Sequence, residues 1–211
     1  HIHFVGHVMI DNLFHQVEQL SRMDVSALPT DALKRKLGRY GVVTLHRPSN
    51  VDHRETLVRI VGALQGVSER LPLIFAIHPR TRANLEKFGI TLQGNFHVTQ
   101  PLPYMEFLNL WKDAALVLTD SGGMQEETTA LGVPCITLRE NTERPVTVVQ
   151  GTNVIVGTDA EKIRAVAARI LDAHQTGNPA RPDLWDGQAA SRIVEVIARE
   201  TITRPSSAQK E

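Results

Sequence analysis

The sequence has one cysteine in 211 residues, which excludes an internal disulfide framework and any cysteine-rich zinc module. It has no excess of either charge: 23 Lys and Arg offset 23 Asp and Glu. A net charge of zero leaves no electrostatic footprint for nucleic acid or an anionic membrane. No apolar run approaches the ~20 residues of a membrane span. No basic-then-apolar leader opens the chain, so a cytoplasmic setting is expected. An initiator Met is also lacking. The chain starts at His1 and runs at once into strand-like sequence, as though something upstream were missing. What is present is an ordinary globular composition, 42% hydrophobic and 22% charged, in a chain long enough to bury a substantial core.

No internal repeat is visible. Short β-rich runs alternate with longer helical patterns. The expected strands are Ile2–Val5, Gly41–Leu45, Leu73–Ile77, Asn95–Thr99, Ala115–Thr119, Pro134–Leu138 and Asn153–Val156. Most are continuously apolar rather than alternating, which suits a parallel sheet covered on both faces. Leu57, Ile60, Val61, Leu64 and Val67 recur at helical spacing, as do Ile163, Val166, Ala167, Ile170 and Leu171. Thr30, before Asp31 and with Gly38 following Leu37, reads as the N-cap of a short helix. Pro179, Pro182 and Gly187 mark an irregular passage before a last helix near Gln188–Arg199. The expected fold is α/β, a doubly wound, mainly parallel Rossmann-like sheet. It forms a single domain over residues 1–203, with a flexible tail over 204–211.

In such sheets ligands bind beyond the carboxyl ends of the strands. The densest chemistry follows the strand ending at Thr119: Asp120-Ser121-Gly122-Gly123, then the helical run Met124–Leu131, closed by Gly132. A small polar residue and two glycines at a strand-to-helix turn leave backbone N–H groups open at the positive end of a helix, a receptor for phosphate or diphosphate. Ser121 can cap that helix and donate to an anion. Glu126 and Glu127 sit about one turn further in, where a carboxylate can accept from a vicinal diol such as the ribose hydroxyls. A tight turn with two Glu complementing the helix dipole explains the local pattern equally well. Neither a Walker-type Lys nor a dinucleotide glycine spacing is present. Arg144, in the charged loop Arg139–Pro145, can supply a cation for a diphosphate. A solvated loop ion pair with Glu143 or Glu140 is the equal alternative.

Other residues carry plainer readings. His1, His3, His7 and His15 cluster near the start, but their spacing matches no zinc motif. Cys135 reads as a small buried hydrophobe, and Trp111 and Trp185 as packing anchors. No metal site and no cofactor is expected.

These segments, taken in order, closely resemble the non-hydrolysing UDP-N-acetylglucosamine 2-epimerases. The resemblance rests on Asp120–Glu127, Leu131-Gly132-Val133-Pro134, Asn141-Thr142-Glu143-Arg144-Pro145 and Gly151-Thr152-Asn153. Upstream, Thr44–Asn50 resembles the family's His-Arg loop, Ile77-His78-Pro79 its second His turn, and Pro101–Phe107 its uracil-side loop. Val5–Asp11 resembles its inter-domain segment, with His7 where the family usually has Asn, and Asp186–Ala189 also fits. Two further departures are Pro48-Ser49-Asn50, where many members carry Arg-Glu-Asn or Arg-Glu-Ser, and Leu102, where some have Gln.

The resemblance implies a glycosyltransferase-B-like fold of two Rossmann-like halves with a cleft between them. This chain matches the C-terminal, UDP-binding half; the N-terminal Rossmann-like domain is missing. By the same resemblance, Ser121, Gly122 and Gly123 hold the diphosphate, and Glu127 takes the ribose hydroxyls. Arg144 lies near the phosphates, and the backbone around Phe107 reads the uracil. His46 is the catalytic cleft histidine beside the leaving diphosphate. Arg47 and His78 match residues that in some members help hold a second, regulatory UDP-sugar, which the departure at Pro48–Asn50 leaves open. The implied reaction converts UDP-GlcNAc to UDP-ManNAc by elimination and re-addition of UDP. Its acid/base carboxylates belong to the other half, so the chain alone is expected to bind UDP or UDP-GlcNAc without turnover. The parent enzyme is expected to be a homodimer. Two other functions fit the same residues: the donor-binding half of a glycosyltransferase, and a non-catalytic nucleotide-sugar sensor.

Overall fold

The computed structural model describes residues 1–173 and 181–202. The expected tail over 204–211, the domain limit at 203 and Pro179 lie outside them. Six short strands form one sheet: β1 Gly41–Thr44, β2 Leu73–Ala76, β3 Phe96–Thr99, β4 Leu116–Thr119, β5 Cys135–Thr137 and β6 Asn153–Ile155. Their order is β3-β2-β1-β4-β5-β6, and every neighbouring pair is parallel. The helices are α1 Val8–Arg22, α2 Pro29–Leu37, α3 Pro48–Val51, α4 Arg54–Ser68, α5 Pro79–Phe88, α6 Tyr104–Trp111, α7 Gly122–Leu131, α8 Val146–Val149, α9 Ala160–Asp172 and α10 Ala189–Ile202.

The continuous apolar runs are explained by the two faces they serve. Val43, Leu73, Phe75, Leu116, Leu118 and Ile136 join one core with Leu57, Ile60 and Leu64 of α4 and Ile163 and Ala167 of α9. The alternate positions Val42, Ile74 and Val117 face the opposite core with Ile10 and Leu13 of α1, Leu108 and Trp111 of α6, and Met124 of α7. Each fully buried Leu, Ile or Val contributes ~1.5–3 kcal/mol, so a strand of four residues is held from both sides. Trp111 and Trp185 are buried in the second core, and Cys135 is buried in β5. The site-bearing helix α7 starts at Ser121, whose hydroxyl accepts from Met124 N, and ends at Gly132 in the left-handed region, φ +76°.

Two expectations are corrected. Ile2–Val5 forms no strand. Ile2 and Phe4 are exposed, Gly6 turns the backbone at φ +99°, and His7 begins α1, so β-prone composition has no sheet edge to join. Thr30 is not an N-cap: Leu28 occupies that place, Pro29 opens the helix, and the buried Thr30 hydroxyl has no partner among the described residues. Proline at the first helical position, whose missing N–H costs nothing there, sets the start instead. Helices α1, α5 and α6, in the gaps between the expected strands, complete the layers; α5 and α6 follow β2 and β3 directly.

Candidate functional site

Strands β1 and β4 are adjacent and in register, Thr44 beside Thr119, while the chain between them builds the β2–β3 side of the sheet. Their carboxyl ends therefore form the topological switch point, where the loops diverge and leave a crevice. The ends of five strands contribute to this rim: His46 and Arg47 after β1, His78 after β2, Pro101–Phe107 after β3, Asp120–Gly123 after β4, and Arg139–Arg144 after β5.

Asp120 is the floor of the site. Its side chain is fully buried, and its carboxylate accepts the backbone N–H of His46 at 3.1 Å, that of Arg47 at 2.9 Å and the Asn50 amide at 3.1 Å. Asn50 also donates to Leu138 O at 2.8 Å, tying three strand ends together. His46 Nδ1 lies 2.9 Å from Asp120 Oδ1, so one carboxylate fixes both the backbone and the ring of His46. The cost of burying a charge is offset here by this full set of donors. The Arg47 guanidinium approaches Gly122, and its Nε is buried without a partner among the described residues.

His46 and His78 stand with ring centroids 5.9 Å apart. His78 caps α5, its Nδ1 accepting from Arg80 N at 3.2 Å. Both rings, with Thr44, Ala76, Pro101, Leu102 and Phe107, line a cavity of about 160 Å³. Phe107 lies one turn into α6, and Tyr104 at the start of that helix donates to Glu127 Oε1 at 3.0 Å. Burial, with the nearby Glu126 charge, pushes the Glu127 carboxyl above its ordinary range despite that hydrogen bond.

Gly122 and Gly123 open α7, and a Cβ at either would meet no atom nearer than 4.0 Å; the groups nearest Gly122 are Arg47 and Glu143. Arg144 makes its ion pair with neither of the expected loop carboxylates: its Nε lies 2.5 Å from Glu126 Oε1. Arg139 instead takes Glu143, at 2.8 and 2.6 Å. This holds the Glu143 carboxyl down at about 2. The structure therefore brings His46, His78 and Phe107 into one cavity and joins His46 and Arg47 to the α7 turn. Glu127 sits on the α6 flank of α7, and Arg144 is bound to Glu126 on the same helix. Asp120, Asn50 and Tyr104 had no role assigned from sequence, and Glu126, read there with Glu127 as an acceptor for a diol, faces Arg144 and His7 instead. The signal for Asp120 was its place immediately after β4; the others depend on contacts between distant segments.

Among the described residues no group of three His, Cys, Asp or Glu side chains could hold a metal ion, and no helix is long and apolar enough to cross a membrane.

A parallel sheet of this order, with an uncovered helix N-terminus and a buried aspartate at its switch point, defines a Rossmann-like α/β domain. The chain belongs to the UDP-N-acetylglucosamine 2-epimerase family, whose model matches residues 1–198. It is 35% identical over 205 residues to UDP-N-acetylglucosamine 2-epimerase of Methanococcus maripaludis, covering 94% of this chain and 55% of that protein. It is 38% identical over 162 residues to UDP-2,3-diacetamido-2,3-dideoxy-D-glucuronate 2-epimerase of Pseudomonas aeruginosa, covering 75% of this chain and 44% of that one. Among solved structures, the Methanocaldococcus jannaschii UDP-GlcNAc 2-epimerase in complex with UDP-GlcNAc and UDP superimposes with a TM-score of 0.78 at 35% identity, covering 94% of this chain and 55% of that one. The chain thus spans about half the length of these relatives.

Proposed function

We propose that this chain is the nucleotide-binding half of a UDP-GlcNAc 2-epimerase. In this reading Ser121, Gly122 and Gly123 receive the diphosphate at the α7 N-terminus, and Arg144 adds a cation beside it. Glu127 accepts from the ribose hydroxyls, and the α6 backbone around Phe107 meets the uracil. His46 faces the leaving diphosphate. Arg47 and His78 border the cleft where a second UDP-sugar would lie. The observation that carries the reading is the buried Asp120 carboxylate, which holds the His46–Arg47 turn against the Ser-Gly-Gly turn. Two of the relatives differ in the sugar that their names specify, but both names specify a UDP conjugate and carbon 2. This agrees with a half that binds the nucleotide.

The reaction is an elimination followed by re-addition. A carboxylate base removes the carbon-2 proton, the carbon-1 to oxygen bond breaks, and its electron pair leaves on UDP, giving a glycal-type intermediate. Re-addition of UDP with proton delivery to the opposite face inverts carbon 2. A fixed His46 and Arg144 stabilise the charge that develops on the diphosphate. The proton-transfer carboxylates belong to an N-terminal Rossmann-like half outside these 211 residues. The complete protein acts in the cytoplasm as a homodimer.

Calorimetric titration of this chain with UDP tests the reading directly. Wild type gives binding heat, and the Ser121→Ala, Glu127→Ala double variant loses it; equal heats from both overturn the site. The isolated chain forms no UDP-ManNAc from UDP-GlcNAc, and turnover by the chain alone overturns the two-half assignment. In deuterated water the completed protein exchanges the carbon-2 proton, whereas sugar transfer to an acceptor without that exchange marks a glycosyltransferase.

A further inference from the structure

Arg144 is unusually well held for an exposed-loop arginine. Its backbone N–H donates to Thr142 Oγ1 at 2.9 Å, and its carbonyl accepts from Thr147 Oγ1 at 2.7 Å. Thr142 in turn donates to Gln125 Oε1 at 2.5 Å, and Asn153 bridges the same Gln125 oxygen to Thr147. The backbone of Arg144 is thus anchored to α7 through Gln125. Its guanidinium is anchored to the next residue, Glu126, through Nε. Nη1 donates to Glu143 O at 3.2 Å, and Nη2 makes no hydrogen bond among the described residues.

Glu126 has a second partner that comes from the far end of the chain. His7 Nε2 lies 2.9 Å from Glu126 Oε1, the same oxygen that faces Arg144. The tautomer is set by the backbone: His7 Nδ1 accepts the N–H of Met9 at 3.2 Å as the cap of α1, so the ring proton sits on Nε2 and points at Glu126. The ring is steadied by the edge of Trp185, with centroids 5.3 Å apart and planes at 79°. One imidazole therefore starts α1 with one nitrogen and holds a carboxylate of α7 with the other.

We propose that His7 is a positioning residue for Arg144, acting through Glu126. A carboxylate facing a lone guanidinium tends to rotate into a bidentate pair that takes two N–H groups at once. With His7 donating to Oε1, Glu126 is turned so that its closest approach is to Nε, and Nη2, free of hydrogen bonds among the described residues, stays available to an anion. Without His7 the carboxylate is released to take Nη2 as well, and the donor is lost to the ligand. The proposal rests on the assignment of Arg144 to the diphosphate of UDP. It adds that the α1 start and the anion site are mechanically one unit.

The test is His7→Asn, alone and combined with Glu126→Gln, in the 211-residue chain. Asparagine caps α1 as well as histidine does but is too short to cap and reach Glu126 together. In calorimetry, His7→Asn weakens UDP binding at least about tenfold, the scale of one charge-assisted hydrogen bond, and leaves uridine binding unchanged. In the Glu126→Gln background, His7→Asn has no further effect on UDP. Equal losses for UDP and uridine, or the same loss with Gln at 126, overturn the proposal. The second measurement needs no ligand: the Arg144 Nε–H resonance moves on His7→Asn and is insensitive to it when Glu126 is replaced. An unmoved resonance overturns the relay by itself. If the wild-type chain binds no UDP, the nucleotide reading fails and this resonance still decides the relay.

Discussion

Asp120 accepts the backbone N–H of His46 and also faces the ring of that residue, with Nδ1 2.9 Å from Oδ1. A ring held at Nδ1 by a buried acceptor presents Nε2 to the cleft. Backbone and side chain of His46 are fixed by the same group, so its orientation does not depend on the mobility of its loop.

Asp120→Asn is therefore expected to destabilise the chain by about 3 kcal/mol, because an amide –NH₂ then confronts donors that had a carboxylate. Urea unfolding followed by circular dichroism measures it. A change under about 0.5 kcal/mol would remove Asp120 as the floor of the site.

Glu127 makes a different kind of prediction. Burial raises its folded-state pKa, so the folded chain favours the protonated form. Its contribution to stability is complete below the ordinary carboxylate range and is lost as pH rises through the raised value. Glu127→Gln should accordingly be more stable than wild type at pH 7 by up to about 1 kcal/mol, with the advantage shrinking as pH falls. The same variant should lose about tenfold in UDP affinity. Melting curves at pH 7 and pH 4, with UDP titrations, check both halves.

Cys135 is fully buried, and its thiol is pushed up to about 12 by that burial. Thiol reagents should leave it unmodified in the folded chain at pH 8 and label it completely in denaturant. Labelling of the folded protein at the rate of a free thiol would contradict its packing in β5.

The sheet was legible because its strands are short apolar runs separated by helical periodicity. All six strands begin and end within one residue of expectation, as at Gly41 and Thr119, and α7 was bounded by Ser121 and Gly132. The first segment misled because Ile2 and Phe4 have the composition of a strand, while a strand exists only where a neighbour can pair with it. The Ser-Gly-Gly turn and the two cleft histidines were visible from their places after strands. Asp120 as a shared acceptor, the exchange of partners that gives Arg144 to Glu126, and Tyr104 on Glu127 were not. Each depends on segments that meet only in three dimensions, and charge counting in the 139–145 loop favoured the neighbours in sequence.

The contact between His46 and Asp120 spans 74 positions of sequence, and β1 and β4 pair only after β2 and β3 have been laid down between them in the chain. A floor of that kind closes late, because long-range pairing must first overcome the entropy of a long loop. During synthesis the His46 turn is complete well before its carboxylate exists. Until β4 has emerged and docked, the chain holds every residue of its first ligand-side loop without the carboxylate that fixes the His46 turn.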